Sequence, residues 1–473
     1  MAAEFAGPFA QRPPAELLEI QYPPLDRFGL AELRRIITTC WVLNTHLAGA
    51  WLRWLVRRVL RRRGAPLPVA ASEAAVTAFG KLGPMFVKLG QLMASSPGLF
   101  PQVLSTAAQR CLDNMPPFPS ERARRLVAAE LGRPVETLFA SFDDVPLSAA
   151  SIAQVHACQL PDGRAAVVKL QRPGIGPRMI TDLRIMRRLS RRLDKHVALV
   201  RLMSLEGIVE QLYLATCQEL NFALEATNQE RFGEAVAAFG DNKGVVVPEI
   251  YWDYCAPKLI CMQRLYGTPM DNPQMLLAKG IEGELPMRRG VKAWLEAAIV
   301  HGPFHGDAHA GNLWILDDGR MAFLDFGIMG ELDAHWRDLL RDVLYTVMFD
   351  RDFERVARGL RRCGVLAPEE VTGATDGQLG FALSAVFGPF LDAPISRLNP
   401  RKIIELMLNT AERYSGENPP ELTLFAKQLL YFERYSNLLA PDWVLPMDPF
   451  LMRNIFPTEA SARAAQLGTP MPD

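Results

Sequence analysis

What this 473-residue sequence lacks narrows the field first. It has no excess of either charge: 52 Lys and Arg stand against 52 Asp and Glu, so nothing global points to nucleic acid. Its seven cysteines (40, 111, 158, 217, 255, 261 and 363) are scattered without a Cys-x-x-Cys, which argues against a disulfide or zinc framework and for reduced thiols. No apolar run approaches the roughly eighteen residues of a membrane span, so no transmembrane anchor is expected. The first residues lack a basic stretch followed by an apolar one, so no secretory signal is expected and the chain reads as cytoplasmic. No internal repeat is visible. What remains is an ordinary folded composition, 49% hydrophobic and 22% charged, long enough for two or three domains or one large two-lobed one.

The most informative stretch is residues 304–327, FHGDAHAGNLWILDDGRMAFLDFG. Asp307 is followed five positions later by Asn312. Two short apolar runs, 313–316 and 321–324, flank an Asp-Asp-Gly turn, which reads as a β-hairpin. Such a hairpin keeps Asp307 and Asn312 at one end and returns Asp325 of Asp-Phe-Gly to the same end. Two carboxylates and an amide oxygen would then converge, as hard cations require. The Asp-to-Asn spacing and the following Asp-Phe-Gly also match a protein-kinase catalytic loop and its metal-binding motif.

Along the rest of the chain, residues 1–30 are rich in proline and read as an irregular arm. Residues 31–64 form a long helix candidate with an apolar front (Ile36, Ile37, Trp41, Val42, Leu43, Leu47, Trp51, Leu52, Trp54, Leu55, Val56) and a basic end (Arg53, Arg57, Arg58, Arg61, Arg62, Arg63). Trp and Leu beside an Arg cluster suit an interfacial helix on anionic lipid, each basic side chain contributing about 1 kcal/mol. A domain helix with a solvated basic end fits the same residues. Residues 72–95 look helical and contain Lys88-Leu89-Gly90-Gln91; Gly90 costs about 1 kcal/mol inside a helix, which suggests close packing. Residues 146–175 read as strand, turn and strand with an inward Lys169, preceded by Ser148-Ala149-Ala150-Ser151, a loop with no glycine. The Arg-dense residues 177–200 read as a helix with a solvated face, and 205–235 as one further helix carrying Glu219 and Glu225. Six positions are about 240° around a helix, so each Glu would meet a different Lys. Strands are expected at 245–252 and 258–264, a hinge at 265–267, helices at 286–301, 333–349 and through 352–440 with loops near 367–368 and 418–420, and an irregular tail after residue 441. No Ala-Pro-Glu follows Gly327, so the segment on which protein kinases hold a peptide is missing.

These motifs, in this order, resemble the UbiB (AarF-domain) family of atypical kinases from about residue 83 to 442. The resemblance implies an α+β, two-lobed protein-kinase-like fold, with a small antiparallel-sheet N-lobe, a mostly helical C-lobe and an N-terminal helical extension carrying Lys-x-Gly-Gln. The corresponding divisions are 1–65 (arm and basic amphipathic helix), 66–140 (extension), 141–267 (N-lobe), 268–442 (C-lobe) and 443–473 (tail). It further implies ATP or ADP and Mg²⁺ bound between the lobes, and ATPase activity or unorthodox phosphotransfer in isoprenoid quinone or other lipid metabolism. Lys169 would contact the phosphates with Glu225 as its ion-pair partner; Ala149, Ala150, Ser151, Met262 and Leu265 would line the nucleotide. Asn312 and Asp325 would hold the metal and Asp307 would act as base. Lys88 and Gln91 would reach in from the extension, with Glu219 partnering Lys88. The family's Glu-x-Asp stands here as Glu219-Leu220-Asn221, one anionic group fewer. His305 and His309 could form a zinc pair, but the family explains both as loop scaffolding. Expected partners are an anionic membrane surface at the inner face of the cell membrane and lipid- or quinone-pathway molecules or enzymes, with no nucleic acid; a nucleotide-binding pseudokinase module is the alternative.

Overall fold

The computed structural model describes residues 5–10, 12–60, 64–95, 100–112, 116–196, 205–388, 420–443 and 448–472. It divides into two compact units, Met1–Leu224 with Tyr251–Arg264, and Glu225–Ile250 with Leu265–Asp473. The described strands in chain order are β1 (Ser141–Phe142), β2 (Ser148–Ala149), β3 (Ala153–Gln159), β4 (Ala165–Gln171), β5 (Val245–Val246), β6 (Leu259–Gln263), β7 (Gly267–Pro269), β8 (Pro303–His305), β9 (Leu313–Leu316), β10 (Met321–Phe323) and β11 (Met329–Glu331).

In the first unit the alternating run and its Asp-Gly turn fold as the β3/β4 hairpin, in register from Ala153 opposite Gln171 to Gln159 opposite Ala165. β1 and β2 share the outer edge of β3, and β6 pairs antiparallel with β4, placing Ile260 opposite Lys169. The long helix Leu30–Val59 is docked along one side only. Val42 and Ala50 are buried, Arg35 donates to Asp182 at 2.6 and 2.9 Å, and Glu32 accepts from Arg184 at 3.0 Å. Its outer side leaves Leu33, Ile37, Trp41, Trp51, Leu52 and Val56 in solvent, Trp41 by 67% and Trp51 by 52%. Among the described residues no helix is long and apolar enough to cross a membrane.

Three helical expectations in this unit change. Residues 72–95 are two helices, Leu67–Leu82 and Pro84–Ser95, because Gly83 sits at φ +105°, a conformation that ends one helix before proline opens the next. The run 205–235 breaks after Leu205–Glu219 and restarts at Phe222–Ala237, where the Asn221 side chain caps the new helix by accepting from Leu224 N at 3.0 Å. Glu219 and Glu225 thus lie on different helices, and the 240° argument no longer applies. The arginines of Ile175–His196 are also less solvated than expected. Arg178 donates to Leu82 O, Arg184 to Pro24 O, and Arg191 to Glu206 and Asp26. This face packs the arm, whose Pro23 carbonyl also accepts from Tyr213 Oη at 2.7 Å.

In the second unit, β5, β10, β9 and β7 form a sheet in that order, with β5 parallel to β10 and the other pairs antiparallel; β8 and β11 pair separately. Trp294 stands at the centre of an aromatic core with Phe304, Phe425 and Phe432, and its Nε1 donates to His305 O at 3.0 Å. The strong helix expected after Gly327 is present as Ala334–Tyr345, capped by Asp333, whose carboxylate accepts from Trp336 N. Several described residues of the expected irregular tail are instead part of the core. Phe450, Leu451 and Met452 are buried, Pro457–Leu467 is a helix, and Asp448 accepts from Arg288 at 2.8 Å and from Trp443 Nε1 at 2.8 Å. Proline at the start of each short element suits it to open a turn or helix rather than to break one. Residues 389–419 lie outside the described residues, and with them most of the loop expected near 418–420.

Candidate functional site

The residues singled out in the sequence divide between the two units. Lys88, Gln91, Ala149, Ala150, Ser151, Lys169, Glu219, Asn221 and Met262 belong to the first; Glu225, Leu265, Asp307, Asn312 and Asp325 belong to the second.

In the first unit the structure brings Lys88 and Glu219 together as an ion pair, with side chains 11% and 19% exposed. Lys88 comes from the helix after Gly83 and Glu219 from the last residue of the helix before the Asn221 cap, so the break at 220–221 sets where Glu219 points. Gln91 Nε2 donates to Cys111 O at 3.1 Å, and Gly90 lies so close to the Cys111 thiol that a Cβ has no room. The glycine is therefore a packing site. Asn221 donates to Leu17 O at 2.9 Å as well as capping, so the amide in place of the family's acid fastens the arm.

The glycine-free loop is a tight turn between β2 and β3. Ala149 is buried, Ala150 is exposed and its N–H is engaged by Ala153 O at 2.8 Å. Arg172 holds the turn from below, donating to Ala150 O at 3.0 Å and Pro116 O at 2.9 Å. Lys169 is 7% exposed on β4, its ammonium 5.6 Å from the Phe222 ring centre, while Gln171 on the same face donates to Leu220 O at 2.9 Å. Met262 is half-buried opposite Val167. Buried His156 accepts from Gln154 through Nε2 and donates from Nδ1 to Asp143 O at 2.8 Å; burial lowers its pKa.

In the second unit Asp307, Asn312 and Asp325 are tied into one cluster. Asn312 Nδ2 donates to Asp307 O at 3.0 Å, and Asn312 O accepts from Leu324 N at 2.8 Å, next to Asp325. His305, fully buried, bridges the two segments. Its Nε2–H donates to Leu324 O and Asp325 O at 3.0 and 2.8 Å while Nδ1 accepts from Asp307 N at 3.2 Å. With both ring nitrogens engaged it is scaffold, which removes the zinc-pair reading; among the described residues no cluster of three His, Cys, Asp or Glu could hold a metal. Burial lowers the His305 pKa, keeping the ring neutral in this tautomer. Asp325 has φ +58°, a left-handed backbone costly for a non-glycine residue and typical of functional sites. With its amide N–H₂ directed to Asp307 O, Asn312 offers Oδ1; together with the Asp325 carboxylate this is an all-oxygen donor set suited to Mg²⁺. Glu225 is buried in the first turn of Phe222–Ala237, and Leu265 is half-buried.

Residues 110–360 match the ABC1 atypical kinase-like domain, and residues 383–444 match the UbiB helical domain. The chain belongs to the UbiB family of ABC1 atypical kinase-like proteins. A Mycobacterium tuberculosis relative is 35% identical over 428 residues, covering 90% of this chain and 85% of its own. The probable protein kinase UbiB of Aeromonas hydrophila is 32% identical over 371 residues, 77% of this chain and 66% of its own. Among solved structures, a Mycobacterium tuberculosis protein in complex with erythromycin covers 77% of this chain and 94% of its own, at 21% identity and a TM-score of 0.43. UbiB membership establishes the kinase-like α+β fold class.

Two residues at the Asp307 loop escaped the sequence reading, Lys427 and Gln428 on helix Pro420–Leu439. Lys427 Nζ lies 3.4 Å from Asp307 Oδ1. Buried Gln428 donates to Gly306 O at 2.7 Å and accepts from Ala308 N at 2.8 Å. The only sequence signal is a polar Lys-Gln pair inside an apolar helical run, and it names no target.

Proposed function

We propose that this chain is an atypical kinase or ATPase that takes Mg-ATP as substrate and works at the inner face of the cell membrane in isoprenoid quinone or other lipid metabolism. The observation that carries the reading is the Asp307, Asn312 and Asp325 cluster, tied together by side-chain-to-backbone bonds from His305 and Asn312. Bound Mg²⁺ would supply charge neutralisation of the phosphates, held by Asn312 Oδ1 and the Asp325 carboxylate. Lys169, with Glu225 as ion-pair partner, holds the α- and β-phosphates; the 149–151 turn, Met262 and Leu265 line the nucleotide; Asp307 accepts the proton of the attacking hydroxyl or water. Lys88, Gln91 and Glu219 restrain the helical extension. Phosphotransfer to water or a small molecule fits better than transfer to a peptide, because only Ile328, the three residues of β11 and Leu332 separate Gly327 from Asp333, the cap of the next helix.

The membrane reading rests on the exposed stripe of Leu33, Ile37, Trp41, Trp51, Leu52 and Val56 alongside Arg53, Arg57 and Arg58. Because the opposite side of this helix is docked through Arg35 and Glu32, deleting it would damage the first unit. Replacing Trp41 and Trp51 by Glu is the sound test: co-sedimentation with anionic vesicles should be lost while the folded state persists, and undiminished sedimentation removes the idea.

The deciding experiment measures Mg²⁺-dependent ATP hydrolysis with and without anionic, quinone-containing liposomes. Turnover that Asp325→Asn abolishes is the expected result. Nucleotide binding without turnover under every condition would leave the second reading, a pseudokinase-like regulatory module. That reading draws on the turn at Ala150, whose N–H is already engaged by Ala153 O.

A further inference from the structure

The Asp307 loop contains no lysine or arginine of its own: the residues between Asp307 and Asn312 are Ala308, His309, Ala310 and Gly311. A cation nevertheless stands at the Asp307 carboxylate, and it comes from 120 positions away. Lys427 Nζ is 3.4 Å from Asp307 Oδ1, on a helix inside the stretch matched by the UbiB helical domain, whereas Asp307 lies in the ABC1 kinase-like domain. The neighbouring Gln428 fixes the register. Its amide binds Gly306 O with one arm and Ala308 N with the other, so the helix cannot slide or rotate past Asp307 without breaking two buried bonds. Lys427 itself is 48% exposed, so an incoming ligand can reach it. A solvent-facing pair of this kind contributes little to stability. A buried clamp that holds a reachable ammonium beside the base has another use, since phosphoryl transfer spreads negative charge over three equatorial oxygens.

We propose that Lys427 is a catalytic residue, the cation by which the helical domain binds the transferred phosphoryl group next to Asp307. The assignment rests on the Mg-ATP reading above. The ammonium lies beside the Asp307 carboxylate; in the transfer it binds the phosphoryl oxygens and leaves that carboxylate to the acceptor hydroxyl. In the transfer the acceptor oxygen forms a bond to phosphorus and its proton passes to Asp307. The bond from phosphorus to the bridging oxygen breaks, and its electron pair leaves on ADP. Lys427 keeps its protons throughout.

The test is equilibrium titration of the full chain with the Mg²⁺ complexes of ADP and of a non-hydrolysable ATP analogue, which differ in the third phosphate. Lys427→Met should weaken the ATP analogue by about tenfold or more, the loss of one charge-assisted bond, and leave ADP within about twofold. Lys427→Arg should retain most of the discrimination. Lys427→Gln serves as a second neutral variant should the methionine loosen the helix. An equal loss for both nucleotides, or no loss for either, overturns the assignment and leaves Lys427 a surface ion pair. A parent chain that binds neither nucleotide overturns the Mg-ATP reading itself, and a parent that binds both with unchanged variants overturns only the role of Lys427.

Discussion

The Lys88 and Glu219 contact in the first unit and the Asp307 loop in the second are both polar constellations on segments singled out by their motifs, yet they are held in opposite ways. The loop is fixed through its backbone by buried side chains: His305 binds Leu324 O, Asp325 O and Asp307 N, Gln428 binds Gly306 O and Ala308 N, and Asn312 binds Asp307 O. The extension motif meets Glu219 through one side-chain ion pair. A backbone pinned from several sides is preorganised for chemistry, whereas a single ion pair between helices can open and close without unfolding anything. Gln428→Leu should therefore have the largest effect. It leaves Gly306 O and Ala308 N unpaired in a dry site, which costs about 2–5 kcal/mol and removes turnover. Denaturant unfolding of the variant checks it, and a loss below about 0.5 kcal/mol would mean the loop is not held by this clamp.

The parts of this arrangement legible in the sequence were the local ones. The β9/β10 hairpin follows from two apolar runs and an Asp-Gly turn, and it carries Asn312 to within reach of Asp325 with no help from distant residues. The β3/β4 hairpin with Lys169 was legible for the same reason. The helix break at 220–221 was missed because the apolar period continues across it; an Asn followed by Phe-Ala-Leu-Glu is a cap signal, but it competes with an unbroken helical pattern. Lys427 and the buried tail were illegible because their meaning is long-range. Lys427 needs Asp307, 120 positions away, and Asp448 needs Arg288, 160 positions away, before either has a role.

The next largest effect sharpens the other side of the comparison. Gly90→Ala forces a methyl group into the Cys111 thiol and should destabilise the first unit by about 1–3 kcal/mol despite the better helix propensity of alanine. Gly80→Ala, one helix earlier with open space around its Cβ, is the control and should stabilise by up to about 1 kcal/mol. Equal effects at the two positions would show that propensity, not packing, decides at Gly90.

Lys88→Ala should cost less, about 1–2 kcal/mol, since the pair is mostly shielded but is one contact between two helices. A double-mutant cycle with Glu219→Ala should give a coupling near 1 kcal/mol that shrinks at high salt. A coupling as large as the Gln428 effect would erase the contrast between pinned loop and releasable latch.

The smallest effect is one the two units share. Burial lowers the pKa of His156 in the first and of His305 in the second, so each stays neutral in the fold where a free imidazole, at about 6.5, would gain a proton. Below that value the unfolded chain binds more protons than the folded one. The stability these histidines contribute is therefore full above about pH 6.5 and is lost as pH falls through the interval toward their lower folded values. The slope is at most about 1.4 kcal/mol per pH unit for each histidine. The consequence differs because the neighbours differ: His156 bridges Gln154 and Asp143 O in the edge of a sheet, while His305 carries the bonds that join Asp307 to Asp325. Amide exchange compared at pH 7.0 and 5.5, corrected for intrinsic rates, should lose protection around β3 and around residues 305–312 alike, but turnover should fall only with the second. His305→Gln should flatten the acid dependence of protection at residues 305–312 and leave that of β3 intact; an acid slope unchanged by that substitution would place the titrating group elsewhere.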